Sequence, residues 1–393
     1  MENFRFYSPT EIVFGKKAEN EVGKLLKQFN AKMVFIHYGG GSVAKSGLLA
    51  RVTRILDDEG IDHFELGGAK PNPRSGLVYE GIKLAREKHA DFMLAIGGGS
   101  AIDSAKAIAA GTKYEGDFWD FYEGKARITD ALPVGVILTL PAAGSEASQS
   151  AVITQEKGML KKGITSWFYR PKFAIVDPEI TYTAPMFQMT CGVVDMMGHI
   201  FERYFTNSRG TELTDAMSEA VLLSIMKAAR KMISDPGDYE ARATLCWAGT
   251  IAHNGLLGVG KKEDWTTHFL EHELSAFYDV AHGAGLSVMY PAYMEYVMDV
   301  NPERFRNLAV RVFGITDNGH EDAESLARKG IEALKEFYRE MGMPTNFQEL
   351  GAKEEDIPEL LKTLEANRGK EFGNFRTISL EDAKNIYLLA CRK

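Results

Sequence analysis

The sequence predicts an α/β domain with a mainly parallel sheet, followed by an all-helical domain. Three observations carry this expectation. Short β-rich runs alternate with amphipathic helical stretches over the first 180 residues, and two of those runs end in triple glycine. Beyond Asp177-Pro178 the β-branched runs almost vanish, and long helix-period patterns replace them. A chain of 393 residues suits about two domains, so we expect an α/β domain over 1–180 and a helical domain over 181–393.

Each element has its own signal. Lys32-Met33-Val34-Phe35-Ile36-His37-Tyr38 reads as a buried strand that runs into Gly39-Gly40-Gly41. A helix follows over about 47–58, with Leu48, Leu49, Val52, Ile55 and Leu56 on one side. Ile61–Leu66 reads as the next strand and 74–89 as a helix. Phe92-Met93-Leu94-Ala95-Ile96 is again apolar, ends in Gly97-Gly98-Gly99, and leads into a helix from Ser100. Val134–Leu138 and Phe173–Asp177 complete the strand set, while 212–233 and 322–341 show helical periodicity in the second half.

Composition excludes several function classes. With 46 Lys plus Arg against 54 Asp plus Glu, the net charge is −8, and no basic cluster points to nucleic acid. No apolar run of about 18 residues could span a bilayer, and the start, Met1 to Tyr7, lacks a signal-peptide core. Three scattered cysteines do not make a disulfide framework. The expectation is a soluble, cytoplasmic protein.

The glycine loops point to a phosphate. Glycine after a strand lets backbone approach a ligand, and the following helix offers unbonded N–H groups to an anion. Gly97-Gly98-Gly99-Ser100 has this context, with Asp103 and Lys106 further along the helix. Lys106 also reads as a purely structural lysine. In dinucleotide folds an acid near the strand end takes the ribose and repels a 2′-phosphate. The Gly39–Lys45 loop has no acid; it has Ser42 and Lys45, which suit a phosphate. Thr139-Leu140-Pro141-Ala142-Ala143-Gly144-Ser145-Glu146 is a third small-residue loop after a strand.

The second half carries a metal constellation. Asp195 and His199 are i and i+4 on an apolar helix, so they share a face. His268 and His272 repeat the spacing, and His282 follows ten residues later. A buried carboxylate among imidazoles suits Fe²⁺, Zn²⁺ or a related divalent ion. His268-Phe269-Leu270-Glu271-His272 also fits the H-x-x-E-H pattern of a zinc peptidase, with Glu271 as general base. That alternative leaves the glycine loops, Asp195 and His199 without a purpose.

Taken in order, these residues resemble the iron-containing alcohol dehydrogenase family, in its butanol dehydrogenase and aldehyde reductase branch. The likeness starts at Asn3-Phe4 and Pro9–Gly15. It continues through Tyr38–Ser42, Pro71-Asn72-Pro73, Gly97–Lys106 and Gly144-Ser145-Glu146, and ends at the histidine groups. The resemblance implies a dehydroquinate synthase-like fold and makes Asp195, His199, His268 and His282 the metal ligands, with Fe²⁺ ahead of Zn²⁺. His272 becomes the catalytic histidine beside nicotinamide and substrate. Gly40, Gly41, Ser42, Asn72, Gly98, Gly99, Ser100, Asp103, Thr139 and Lys161 become the cofactor-binding residues. One departure stands out: Ala143 occupies a position where the family usually has threonine. The implied activity is reversible hydride transfer between NADP(H), preferred to NAD(H), and a primary alcohol or aldehyde such as butanol or butanal. A glycerol-type polyol dehydrogenase is the same-fold alternative, and the implied assembly is a homodimer.

Overall fold

The apolar runs of the first half become strands. In the computed structural model, which describes residues 1–392, they are β1 (Glu11–Phe14), β2 (Met33–Gly39), β3 (Asp62–Ala69), β4 (Phe92–Gly97), β5 (Val134–Leu138), β6 (Ser150–Gln155), β7 (Leu160–Thr165) and β8 (Phe173–Val176). All but β6 and β7 join one six-stranded sheet in the order β1-β8-β5-β4-β2-β3. Every neighbouring pair in it is parallel.

Alternation along the strands feeds two apolar layers. Val34, Ile36, Phe92, Leu94, Ile96, Ile137 and Ile175 pack with Leu48, Leu49, Val52 and Leu56 of the Leu48–Asp58 helix. Phe35, Met93, Ala95, Val136 and Ala174 pack on the other face with Val78, Ile82, Ile102 and Ile108, from the Ser75–Glu87 and Gly99–Thr112 helices. With both faces covered, the strands must be apolar throughout, which is how they read in the sequence. The crossover from β2 to β3 lies on one face and those from β3 to β4 and β4 to β5 on the other. The strand order therefore reverses between β2 and β4, and the Gly39–Gly41 and Gly97–Gly99 loops sit at the carboxyl ends that flank this reversal.

Three strands of the sheet-bearing unit escape the sequence reading. β1 is only four residues long, and the antiparallel pair β6–β7 carries Lys161, Lys162 and Gly163, which dilute any period-two signal. The compact units are also not two consecutive stretches. One contains Tyr7–Pro185 together with Pro236–Asn254; the other contains Met1–Phe6, Met186–Asp235 and the chain from Gly255 onward. The Tyr239–His253 helix belongs with the sheet because buried Arg242 donates to the Thr181 carbonyl at 2.6 Å. Gly144 makes close packing against that helix feasible: its φ is +62°, and a Cβ there would lie 2.6 Å from the Gly249 carbonyl oxygen.

The second unit is helical except for a two-residue antiparallel ladder, β9 (Glu371–Phe372) with β10 (Ile378–Ser379). The helices expected over 212–233 and 322–341 run Glu212–Ser234 and Ala323–Glu340; Asp322 caps the latter by accepting from the Ser325 N–H. Among the described residues, no helix is long and apolar enough to cross a membrane.

Candidate active site

The metal constellation assembles from three helices of the second unit. Met186–Tyr204 supplies Asp195 and His199, Thr266–Tyr278 supplies His268 and His272, and His282 opens His282–Val297. Asp195 Oδ1 lies 3.9 Å from His268 Nε2 and 3.7 Å from His282 Nε2. Ligand atoms of Asp195, His268 and His282 all fall within 4.8 Å of one another. His199 packs beside them, its ring 4.8 Å from that of His268, with Nδ1 2.9 Å from the Asp195 carbonyl oxygen. The candidate group of Asp195, His268 and His282 does not include His199, which lies at its side.

Two buried carboxylates set the orientation of these rings. Glu202 accepts from His268 Nδ1 at 2.6 Å, from Tyr290 Oη at 3.0 Å and from the Trp265 N–H at 2.6 Å. Glu271 accepts from His282 Nδ1. With each Nδ1 held by a carboxylate, both Nε2 atoms turn toward Asp195, the usual support of a metal-bound imidazole. The sequence reading passed over Glu202, although it lies at i+7 from Asp195 and i+3 from His199 on the same apolar helix. That spacing was the available signal. Glu271 was read as a peptidase base, yet it is fully buried and committed to His282. Among the described residues no candidate metal cluster contains both His268 and His272, so the helix does not build an H-x-x-E-H site.

The electrostatics fit a cation. Asp195 Oδ1 and His268 Nε2 are buried and make no well-directed hydrogen bond among the described residues, although His199 Nδ1 lies 3.1 Å from that oxygen, and a divalent ion would satisfy both atoms. Burial opposes the charge on Asp195, but His199, His268 and His282 outweigh it and hold the carboxyl well below its usual range. Burial likewise works against charge on His268, but Asp195 and Glu202 raise it to about 9. Burial dominates at His199 and lowers it despite Asp195. The donor set, imidazole and carboxylate without thiolate, suits Fe²⁺ or Zn²⁺. His272 is buried next to this cluster, its ring 5.6 Å from His282, and forms a second candidate group with Glu271 and His282.

The expected cofactor residues belong to the sheet-bearing unit. Gly98 precedes the Gly99–Thr112 helix, so the N–H groups of Gly99 and Ser100 lie in its first turn, beside the end of β4. Thr139 follows β5 and its N–H donates to the Gly97 carbonyl at 3.0 Å, which brings the Gly97–Gly99 loop and the Thr139–Glu146 loop together. Ala143 faces Gly99: a Cβ on Gly99 would be 3.4 Å from that of Ala143. Gly40 and Gly41 precede the short turn Ser42–Lys45, and a Cβ on Gly40 would meet open space. Asn72, with φ +53°, accepts from Lys161 Nζ at 2.9 Å, so two residues 89 apart in sequence form one buried pair. Asp103 is engaged within the protein: it accepts from Ser145 Oγ at 2.5 Å and from the Val152 N–H at 2.8 Å.

A parallel sheet with glycine loops at its strand-order reversal, together with a helical His/Asp cluster, fits the class of metal-dependent enzymes that bind a dinucleotide. Comparison with known proteins agrees. Residues 9–178 match the family model for iron-containing alcohol dehydrogenase, and 189–391 match that for the C-terminal part of the Fe-containing alcohol dehydrogenase family. The chain is 43 % identical over 392 residues to a probable NADH-dependent butanol dehydrogenase 2 of Bacillus subtilis, covering 98 % of this chain and 99 % of that one. It is 37 % identical to the NADPH-dependent aldehyde reductase YqhD of Escherichia coli, covering 98 % and 99 %. The crystal structure of NADH-dependent butanol dehydrogenase A from Thermotoga maritima superposes with a TM-score of 0.96 at 40 % identity, covering 100 % of this chain and 99 % of the other. The chain belongs to the iron-containing alcohol dehydrogenase family and is an NAD(P)-dependent oxidoreductase acting on the alcohol–aldehyde pair.

Proposed function

We propose that this enzyme interconverts medium-chain, largely apolar primary alcohols and aldehydes, of the butanol–butanal type, using NADPH in preference to NADH. The observation that carries the reading is the convergence of Asp195, His268 and His282 from three helices, with Asp195 Oδ1 and His268 Nε2 left for a cation. Asp195, His199, His268 and His282 would hold it, iron ahead of zinc. Such an ion supplies Lewis acidity at a substrate oxygen, and the nicotinamide supplies or accepts the hydride. His272, buried beside His282, moves the proton at its imidazole. Glu202 and Glu271 keep His268 and His282 in register.

The NADPH preference is supported by the Gly39–Lys45 loop, which has Ser42 and Lys45 but no carboxylate to repel a 2′-phosphate. Relatives carry both names, NADH-dependent butanol dehydrogenase and NADPH-dependent aldehyde reductase. A homodimer is supported by the aromatic surface of the sheet-bearing unit, where Tyr7 is 55 % exposed and Trp167 51 %, and by β1, which forms a sheet edge. Three unpaired cysteines, two of them buried, suit a reducing cytoplasm.

The test is kcat/KM with each cofactor over an aldehyde series of increasing chain length. In the oxidation direction butanol should outrun the C3 polyol glycerol, and in aldehyde reduction NADPH should be favoured by about tenfold or more, some 1.4 kcal/mol. Gly40→Asp, which has room for its side chain, should move the preference toward NADH. A tenfold preference of the wild type for NADH would refute the loop reading, and glycerol as the best substrate would favour a polyol dehydrogenase.

A further inference from the structure

We propose that Lys106 is a positioning residue for the cofactor: its ammonium pins the Ser145–Ser150 segment to the helix whose first turn carries Gly99 and Ser100. The inference rests on the assignment of those loops to the nicotinamide cofactor.

Lys106 is 0 % exposed, an unusual place for a lysine unless its charge is put to use. All five of its acceptors come from one short segment: Ser145 O at 2.7 Å, Ser145 Oγ at 2.8 Å, Ser148 O at 3.2 Å, Ser148 Oγ at 3.3 Å and Ser150 O at 2.9 Å. An ammonium has three N–H donors, so the segment wraps the cation much as a loop wraps an ion. Asp103, one turn earlier on the same helix, supplies the opposite charge and fastens the same segment through Ser145 Oγ and the Val152 N–H. Burial lowers Lys106 to about 8, against the pull of Asp103 and Glu146, so the cation persists at neutral pH.

The pinned segment continues directly from the small-residue loop that begins at Thr139. Its other side is held by the Tyr239–His253 helix, where His253 Nδ1 lies 2.6 Å from the Ala143 carbonyl oxygen and Thr250 Oγ1 donates to Glu146 at 2.6 Å. Thr139 through Ser150 is thus clamped from two helices, and Lys106 is the clamp that belongs to the phosphate-facing one. Six residues separate Lys106 from Ser100, about 9 Å along a helix. A shift at the lysine would move the loop opposite Gly99; the histidine cluster belongs to the other unit.

The test uses the full-length, metal-loaded enzyme with Lys106→Met, which keeps the length and removes the charge, and Ser145→Ala, which removes one shared hydroxyl. Kd for NADPH is read from fluorescence, alongside KM for NADPH, KM for butanal, kcat, metal content and Tm. Lys106→Met should raise NADPH Kd and KM by about tenfold or more, the scale of a lost charged hydrogen bond, with butanal KM and metal content little changed. Ser145→Ala should shift the same two constants in the same direction, by less, at near wild-type Tm. Folded Lys106→Met with unchanged NADPH Kd would overturn the proposal. If Lys106→Met does not fold, wild-type NADPH Kd in Ser145→Ala would overturn it. A wild-type chain that binds neither NADPH nor NADH would instead refute the cofactor assignment itself, and the inference with it.

Discussion

His268 and His272 lie four residues apart on one helix, and their surroundings separate them. His268 Nδ1 is held by Glu202 and its Nε2 looks toward Asp195, whereas His272 falls with Glu271 and His282. His268→Ala should therefore lose the bound metal and nearly all activity. His272→Ala should retain about one metal per chain while kcat falls roughly 10²–10⁴-fold, the range for a lost acid–base group. Glu202→Gln should weaken metal binding by about 10–100-fold without removing a ligand. Elemental analysis of the purified variants checks all three. Metal lost from His272→Ala and kept in His268→Ala would invert the assignment. A metal cluster was legible in the sequence because Asp195/His199 and His268/His272 are i,i+4 pairs on apolar helices, but only the family resemblance separated His268 and His282 from His272. Glu202 and Glu271 were not legible, because a carboxylate that orients a ring is recognised only by the ring it touches, and that ring lies on another helix.

At the scale of elements, β2 contains a group that couples folding to pH. His37 is fully buried between β3 and β4; its Nδ1 lies 2.9 Å from the Leu66 carbonyl oxygen, and its Nε2 has no hydrogen-bond partner among the described residues. Burial lowers its pKa from 6.5 to about 4, against the bond to Leu66. Since the folded value lies below the unfolded one, the unfolded chain takes the proton first, and stability present above pH 6.5 is lost as pH falls toward 4. Between pH 7 and 4, wild type should lose on the order of 2–3 kcal/mol more than His37→Leu, both metal-free, by urea unfolding. Equal losses would show that His37 is not the responsive group. The buried strands β2, β4, β5 and β8 were readable from continuous apolar runs, and the glycine ends of β2 and β4 from position. The β6–β7 hairpin and the attachment of the Tyr239–His253 helix to the sheet were not, since they depend on Asp103, Lys106 and Arg242 reaching across the fold.

The whole molecule carries two chemistries: glycine loops at the strand-order reversal suited to a dinucleotide, and a His/Asp cluster suited to a cation. Neither half alone distinguishes an alcohol dehydrogenase from other nucleotide or metal enzymes. The family match over 9–178 and 189–391 does. The central claim is that turnover needs the ion at Asp195, His199, His268 and His282. The most direct measurement is butanal-dependent NADPH oxidation in the enzyme as purified, after chelation with metal removal verified by elemental analysis, and after adding back Fe²⁺ or Zn²⁺. The account predicts activity that disappears with the metal and returns with a divalent ion, Fe²⁺ restoring more than Zn²⁺. Full activity in verified metal-free enzyme would contradict it.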